Sequence, residues 1–446
     1  VLSEFQSALF DPADPKAALA QLPREATVFA LYGAEAHAEP YIGRTPNLRS
    51  RLERLLQPSP RHPRRLHLAG LVRRIEWRLT GSEFESLLLQ FELLQKQYGA
   101  KALERMHLRA PAFVRFLGGN PYPRVVVTHR PSQREADWAY GPFASRAAAE
   151  RYVDEALKLF LLRRCTFELE PDTSYPGCVY SEMKMCLAPC YKGCSDERYA
   201  EESAAVESFL RTRGESRLVT LRAERDQASA NLAFESAAAL HAQVQRVESV
   251  RAFASELVRP MSRLRAVILQ TSARAGEIVV FLFENGTLRG PAAFSTLGMR
   301  IQNETSGSTS LFAQPMAIEA TPEEQGPRDQ GNEGTSKRAE DASARTPRTV
   351  LESRLEAMLA EFAAPQDGPS GTARQGHIAL LKRWYYRPEV RRTGEIFFPD
   401  ADDRWPTRAI LRGVGRVAAA KLKTLDEQPV DSKNREASEP AADSQF

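Results

Sequence analysis

Residues 27–56 read TVFALYGAEAHAEPYIGRTPNLRSRLERLL. Two apolar runs, TVFALYG (27–33) and EPYIG (39–43), flank a short polar turn and are expected to pair as a β-hairpin. From Asn47 the period changes. Leu48, Leu52, Leu55 and Leu56 fall on one face of a helix and arginines on the other, with Asn47 placed to cap it. Strand, strand, helix is the opening of a small α/β unit. Just beyond, 71–80 (LVRRIEWRLT) alternates as a strand. Residues 82–97 follow as a helix, with Ser82 as N-cap and Glu85 at the capping-box position.

Working outward, 123–129 (PRVVVTH) reads as another strand and 145–160 as a helix. Residues 195–257 are helical almost throughout and suggest an αα-hairpin. The strand period returns at 264–296, where Asn285-Gly286 between apolar runs signals a tight hairpin. Residues 301–347, rich in Glu, Gln, Ser, Thr, Gly and Pro, have little to bury and read as a disordered linker. Residues 349–362 are helical and 377–425 mixed. Trp384, Tyr385 and Tyr386 there read as part of a small α/β core, with stacking on bases as the alternative, and 410–422 (ILRGVGRVAAAKL), despite a Gly-x-Gly like that of a hairpin-helix, as an ordinary short helix. The last twenty residues form a polar tail. The fold class expected is α+β multidomain.

The net charge of the 446 residues is only +4, but its distribution is uneven. From Arg44 to Arg78 ten arginines stand against two glutamates. Such a block marks a polyanion partner, nucleic acid first, or else a solvated basic face. No apolar run approaches the ~18 residues of a membrane span. The first sixteen residues lack a basic start and a long apolar stretch, so no signal peptide is expected. These readings place the chain in the cytoplasm. All five cysteines lie within 165–194, three of them in CVYSEMKMCLAPC (178–190). In a reducing compartment such clustering points to a metal or to catalysis rather than to disulfides.

The hairpin with its intact Tyr41-Ile42-Gly43 resembles the GIY-YIG nuclease fold. WAYGPFAS (138–145), LRRC (162–165), the three-cysteine run and NLAFESAAAL (231–240) then occur in the order found in the UvrC subunit of the bacterial excision-repair nuclease. The resemblance covers about residues 24–255 and weakens over 264–299. Beyond Arg300 no counterpart of the family's RNase H-like nuclease or tandem helix-hairpin-helix tail is expected. It implies a GIY-YIG nuclease-like domain at 24–108, a Cys-rich region with a cluster site at 109–215 and a helical UVR hairpin at 216–257. A β-rich segment at 258–300, the linker at 301–347, a small α+β segment at 348–425 and a disordered tail at 426–446 complete the division.

In the family, phosphodiester hydrolysis uses hairpin tyrosines, an arginine on the first helix and a glutamate that binds a divalent metal. The resemblance gives Tyr41 a proton-relay role and Arg51 a phosphate-holding one. It gives Gly43 close strand packing and makes Arg44 a replacement for the usual lysine. Three positions depart from the pattern. Phe29 stands at the first motif's tyrosine, and Tyr32 points to the opposite strand face. Gln90 stands where the metal-binding glutamate belongs, and Ala102 where the family has asparagine. At roughly 100° per residue, Glu92 lies ~200° and Glu85 ~140° around the helix from Gln90, while Glu83 is about 10 Å down the axis. Weak or absent metal-dependent cleavage is expected, with Mg²⁺ or Mn²⁺ bound only if the site is active.

The resemblance makes Cys165, Cys178, Cys186 and Cys190 the ligands of a [4Fe–4S] cluster, with tetrahedral Zn²⁺ as the alternative. Pro189 and Gly177 fit a backbone bending around such a centre. Cys194 is either a spare thiol or displaces one of the four. Phe234, Glu235, Ala237, Ala238 and Leu240 match the UVR motif, which pairs with a UvrB helicase subunit. His241-Ala242 replaces the family's Arg-Asp and removes a charge pair. Two readings stand: a UvrC-type subunit making one incision, on the 3′ side, in damaged duplex DNA, or a non-catalytic adaptor for DNA and a UvrB-like partner.

Overall fold

The computed structural model describes residues 5–35, 38–56, 68–297, 299, 347–363 and 371–426. The linker and tail inferred from composition lie outside these residues, apart from the linker's last residue, which starts a helix, and the tail's first, which ends one. Among them the chain forms three four-stranded sheets and is a mixed α/β protein.

The first sheet contains β1 (Gln6–Leu9), β2 (Thr27–Gly33), β3 (Tyr41–Thr45) and β4 (Val72–Leu79), in the order β1-β4-β2-β3, all antiparallel. Helices α1 (Pro15–Ala20) and α2 (Leu48–Leu56) belong to the same unit. β2 and β3 form the expected hairpin, with Leu31 opposite Tyr41 and Phe29 opposite Gly43. Because side chains alternate along a strand, Phe29, Leu31 and Tyr41 share one face. There they pack with Leu48, Leu52, Leu55 and Leu56 of α2. Burying each of these leucines is worth roughly 1.5–3 kcal/mol, which holds α2 to the hairpin.

The other face belongs to α3 (Glu83–Tyr98), followed by the short α4 (Ala102–Arg105). Ser82 caps α3 by accepting from the backbone N–H of Glu85 at 3.1 Å. The Glu85 carboxylate accepts from the N–H of Gly81 at 2.8 Å, one residue earlier than a standard capping box requires.

The second sheet runs β6-β5-β7-β8, from β5 (Ala112–Phe116), β6 (Val125–Thr128), β7 (Ala139–Phe143) and β8 (Arg259–Pro260). Only β6 is anticipated by the sequence reading. AFVRF and AYGPF are short and buried on both faces apart from Arg115, so they show no alternation. Helix α5 (Arg146–Leu157) covers this sheet, and the cysteine segment, containing α6 (Val179–Glu182), follows. The region read as one helical hairpin is three helices: α7 (Asp196–Arg211), α8 (Glu215–Ala230) and α9 (Phe234–Arg251). The chain breaks between α7 and α8 at Arg213 and Gly214, both at positive φ. Phe116, Tyr140, Tyr152, Tyr199, Phe209 and Val247 meet in the core of this unit.

The third sheet runs β11-β10-β9-β12, from β9 (Ala266–Thr271), β10 (Glu277–Glu284), β11 (Thr287–Ser295) and β12 (Glu395–Phe397). Asn285 (φ 53°) and Gly286 (φ 78°) make the two-residue turn between β10 and β11. Helices α10 (Pro347–Ala363) and α12 (Thr407–Asp426) cover one face through Leu355, Leu359, Ile410 and Val414. The stretch 410–422 is thus the interior of a twenty-residue helix. Helix α11 (Gly371–Tyr385) covers the other face together with α3. Phe84, Leu88 and Phe91 of α3 meet Phe281, Phe283, Ile378, Leu381 and Trp384 in one core. The segments 258–300 and 348–425 therefore share a sheet, and α3 is shared between that unit and the first.

Candidate functional site

Tyr41 and Arg51 are brought together by the pairing of β3 with α2. Arg51 Nη2 donates to Tyr41 Oη at 3.2 Å, and both residues are half-buried. Arg51 has no carboxylate partner among the described residues, so most of its donors remain available to a ligand. Phe29 is fully buried, its ring centroid 6.1 Å from that of Tyr41. A Cβ on Gly43 would stand 2.8 Å from Phe29 Cζ, so the glycine leaves room for the aromatic ring opposite it. Tyr32 lies elsewhere, under the guanidinium of Arg74 at 4.3 Å. Burial and then the Glu76 carboxylate hold its pKa above the usual phenol value.

Arg44 projects from the other face of β3 and pairs with Glu83 at 3.3 Å. Glu83 also accepts a two-pronged contact from Arg387 of the C-terminal segment, at 2.6 and 2.8 Å. These bonds, Arg387 first, pull the Glu83 pKa down to about 2. Sequence reasoning missed Arg387, because nothing local marks a residue whose partner lies three hundred positions away. Gln90 is half-buried and its side chain makes no hydrogen bond among the described residues. Glu92 lines a small cavity with Arg78, Leu88, Phe281 and Pro291, facing the third sheet, and burial raises its pKa to about 7. Glu85 is consumed in capping α3. Ala102 is fully buried in the core. No carboxylate therefore joins the Tyr41–Arg51 pair among the described contacts.

Other arginines of the basic run serve the fold. Arg49 donates to the carbonyls of Ala20 and Leu22 and ties α2 to the end of α1. Arg73 donates to Gly70 and Val72 carbonyls. Arg61, Arg64 and Arg65 lie outside the described residues.

Cys165, Cys178, Cys186 and Cys190 line one small cavity, together with Arg163, Arg164, Phe167 and Tyr180. Cys194 is not among the lining residues and packs against the neighbouring core. Gly177, Lys184, Ala188 and Lys192 all take positive φ, which winds this segment tightly. Burial, followed by the charges of the other three thiols, pushes Cys186 up to about 11, partly offset by the Ala188 N–H that donates to its sulfur. Among the described residues no three His, Cys, Asp or Glu side chains converge closely enough to hold a metal ion as they stand.

The residue that does fit a charged centre there is Arg163. It is 1% exposed. Its Nε donates to the Tyr122 carbonyl at 2.9 Å. Its Nη1 donates to the Phe167 carbonyl at 3.0 Å and reaches Cys165 Sγ at 3.6 Å. Its Nη2, and Nε and Nη2 of Arg164, are buried without a partner. A guanidinium buried without an anion costs several kcal/mol, and the adjacent thiols, once deprotonated, are the only anions at hand in the cavity lining. The doublet LRRC, two arginines before a cysteine, is the sequence signal that marks this.

Helices α8 and α9 form an antiparallel hairpin whose base is anchored by the buried Val244, Val247 and Val250. Its tip carries Leu232, 72% exposed, and Phe234, 66% exposed. Glu235 and Ala238 are exposed beside them, Ala237 is half-buried, and Leu240 leans on the core. No helix among the described residues is long and apolar enough to cross a membrane.

Residues 113–209 match the family model of the UvrC/Cho excinuclease middle domain. This span runs from β5 to near the end of α7 and contains all five cysteines. Among similar proteins is the UvrABC system protein C of Alcanivorax borkumensis, 27% identical over 281 residues, 63% of this chain and 46% of the relative. The same protein of Symbiobacterium thermophilum is 28% identical over 278 residues, 61% of this chain and 43% of the relative. That of Cronobacter sakazakii is 30% identical over 241 residues, 53% and 38%. The matches span less than half the length of these relatives. No solved structure matches the chain. A collinear set of sequence motifs, a matched middle domain and these relatives converge: the chain is a relative of the UvrC family and carries that family's middle domain at residues 113–209.

Proposed function

We propose that the chain acts in nucleotide excision repair as a UvrC-type subunit that grips damaged duplex DNA and docks on a UvrB-like helicase. Its GIY-YIG-like pocket is impaired for metal-dependent cutting. The observation that carries this reading is the Arg51–Tyr41 bond in a place where no carboxylate arrives. Arg51 offers its remaining N–H groups to a phosphate in a two-pronged grip. Tyr41 accepts from Arg51 and keeps its own O–H to donate to a phosphate oxygen. A divalent Mg²⁺ or Mn²⁺ would supply Lewis acidity and an activated water, but an amide at Gln90 brings no charge to hold a hard cation. Any incision would fall on one side of the lesion, the 3′ side. Glu83 and Glu85 are engaged with other partners and Glu92 lines a cavity facing the third sheet, which favours the adaptor role over efficient cleavage.

The same reading assigns Cys165, Cys178, Cys186 and Cys190 to a [4Fe–4S] cluster, or to zinc. Such a centre would tie the loop-rich segment to α5 and α7. The exposed tip at Leu232 and Phe234 suits a partner's helical hairpin, since an exposed aromatic can fill a pocket on the partner.

A nicking assay on damaged duplex with Mg²⁺ or Mn²⁺ tests the pocket. The unaltered protein is expected to bind and to cut slowly or not at all. Gln90→Glu should raise nicking at least tenfold, and Arg51→Ala should abolish what cutting remains. Efficient cutting by the unaltered protein, with no gain from Gln90→Glu, would overturn the reading.

A further inference from the structure

A cavity of about 440 Å³ opens between the 3-10 turn Gln133–Trp138, the turn Met261–Arg263 and the end of α7. It is lined by Arg134, Asp137, Trp138, Arg211, Pro260 and Arg263, three guanidiniums and an indole against one carboxylate. Asp137 is already engaged, accepting from the Ser262 hydroxyl at 2.5 Å, and this bond joins the two turns. Arg211 pairs with Glu207 one turn back on α7. Arg134 and Arg263 are exposed and have no acidic partner among the described residues. Trp138 is half-buried, its indole resting over Gly118.

We propose that this cavity is a second DNA contact, distinct from the Tyr41–Arg51 pocket. It takes a backbone phosphate against Arg134 and Arg263 and a neighbouring unpaired base against Trp138. Unpaired arginines that track a backbone, set beside an aromatic face, are the arrangement that holds single-stranded nucleic acid without reading its sequence. An acidic peptide would use the cations and leave the indole idle. Placed at the edge of the middle domain, where Arg134 and Trp138 meet Arg211 and Arg263 from beyond it, the site would hold the strand exposed where a lesion distorts the duplex.

The inference rests on the reading of the chain as a DNA-binding repair subunit, so the test separates the two. Anisotropy of a labelled duplex containing a short unpaired bubble is followed between 50 and 200 mM salt with the full chain. The double variant Arg134→Glu/Arg263→Glu is expected to bind about tenfold or more weakly, with the log–log salt slope shallower by about 1 to 2. Trp138→Phe should bind more weakly with an unchanged slope. Both arginines are exposed, so thermal melting should not move. Wild-type affinity and slope in the double variant would overturn the site and leave the repair reading intact. Loss of binding to a UvrB-like protein alone, with DNA binding kept, would also overturn it. If the unaltered chain binds no DNA at all, the repair reading fails and this site with it.

Discussion

At the scale of single residues, Arg163 is the most deeply buried charged side chain among the described residues. It is 1% exposed, bonded only to carbonyls and one sulfur, and one of its nitrogens is unpartnered. A buried cation without an anion is costly, and the four thiols of the cavity would supply one if the proposed metal centre held them deprotonated. Arg163→Met should therefore lower bound iron or zinc, measured by elemental analysis and, for iron, by visible absorbance, by at least half. Unchanged metal content in a folded variant would sink the assignment. At this scale the sequence was partly legible. Tyr41 and Arg51 came from the resemblance to the GIY-YIG motif, and the structure puts Arg51 Nη2 3.2 Å from Tyr41 Oη. Clustering marked all five cysteines and the family resemblance singled out four, and those four line one cavity. Arg387 was not found, since ion pairs across hundreds of residues leave no periodic mark.

Elements were legible where one period dominated. The leucine stripe of α2, the Ser82 cap of α3 and the Asn285-Gly286 turn all appear where the pattern puts them. β1, β5, β7 and β12 did not show, being short and lacking alternation, because pairing partners rather than local sequence decide them. Helix packing was equally hidden. Gly376 lets α11 lie flat on α3: a Cβ there would come 1.9 Å from Phe91 Cζ. Gly376→Ala should force the two helices apart and destabilise the protein by about 1–3 kcal/mol, more than offsetting alanine's better helix propensity. Urea unfolding would measure it, and a more stable variant would refute the tight approach.

For the whole molecule, the decisive contacts close over long stretches of chain. His377 on α11 accepts at Nδ1 from the Leu288 backbone N–H of β11 at 3.3 Å, and its ring meets Phe91 edge-on. Its Nε2 is buried without a partner. Burial drives its pKa down to about 4. The folded protein thus keeps this histidine neutral, whereas the unfolded chain takes up a proton near pH 6.5. Its contribution is complete above about pH 6.5 and declines as the pH falls towards 4, by up to about 3 kcal/mol. Urea midpoints at pH 7 and pH 5 should differ accordingly, and His377→Gln should flatten the difference. Equal slopes in both proteins would show that the ring is not held neutral. The sequence offered the composition of this C-terminal region but not its destination, because β12 completes a sheet begun more than a hundred residues earlier.

The double duty of α3 has a practical side. Anyone wishing to carve out the hairpin and its tyrosine as a free-standing domain, ending near Leu108, would strip Phe84, Leu88 and Phe91 of their cover. That excised piece would present a greasy seam to water and clump, so a usable graft has to bring α11 with it.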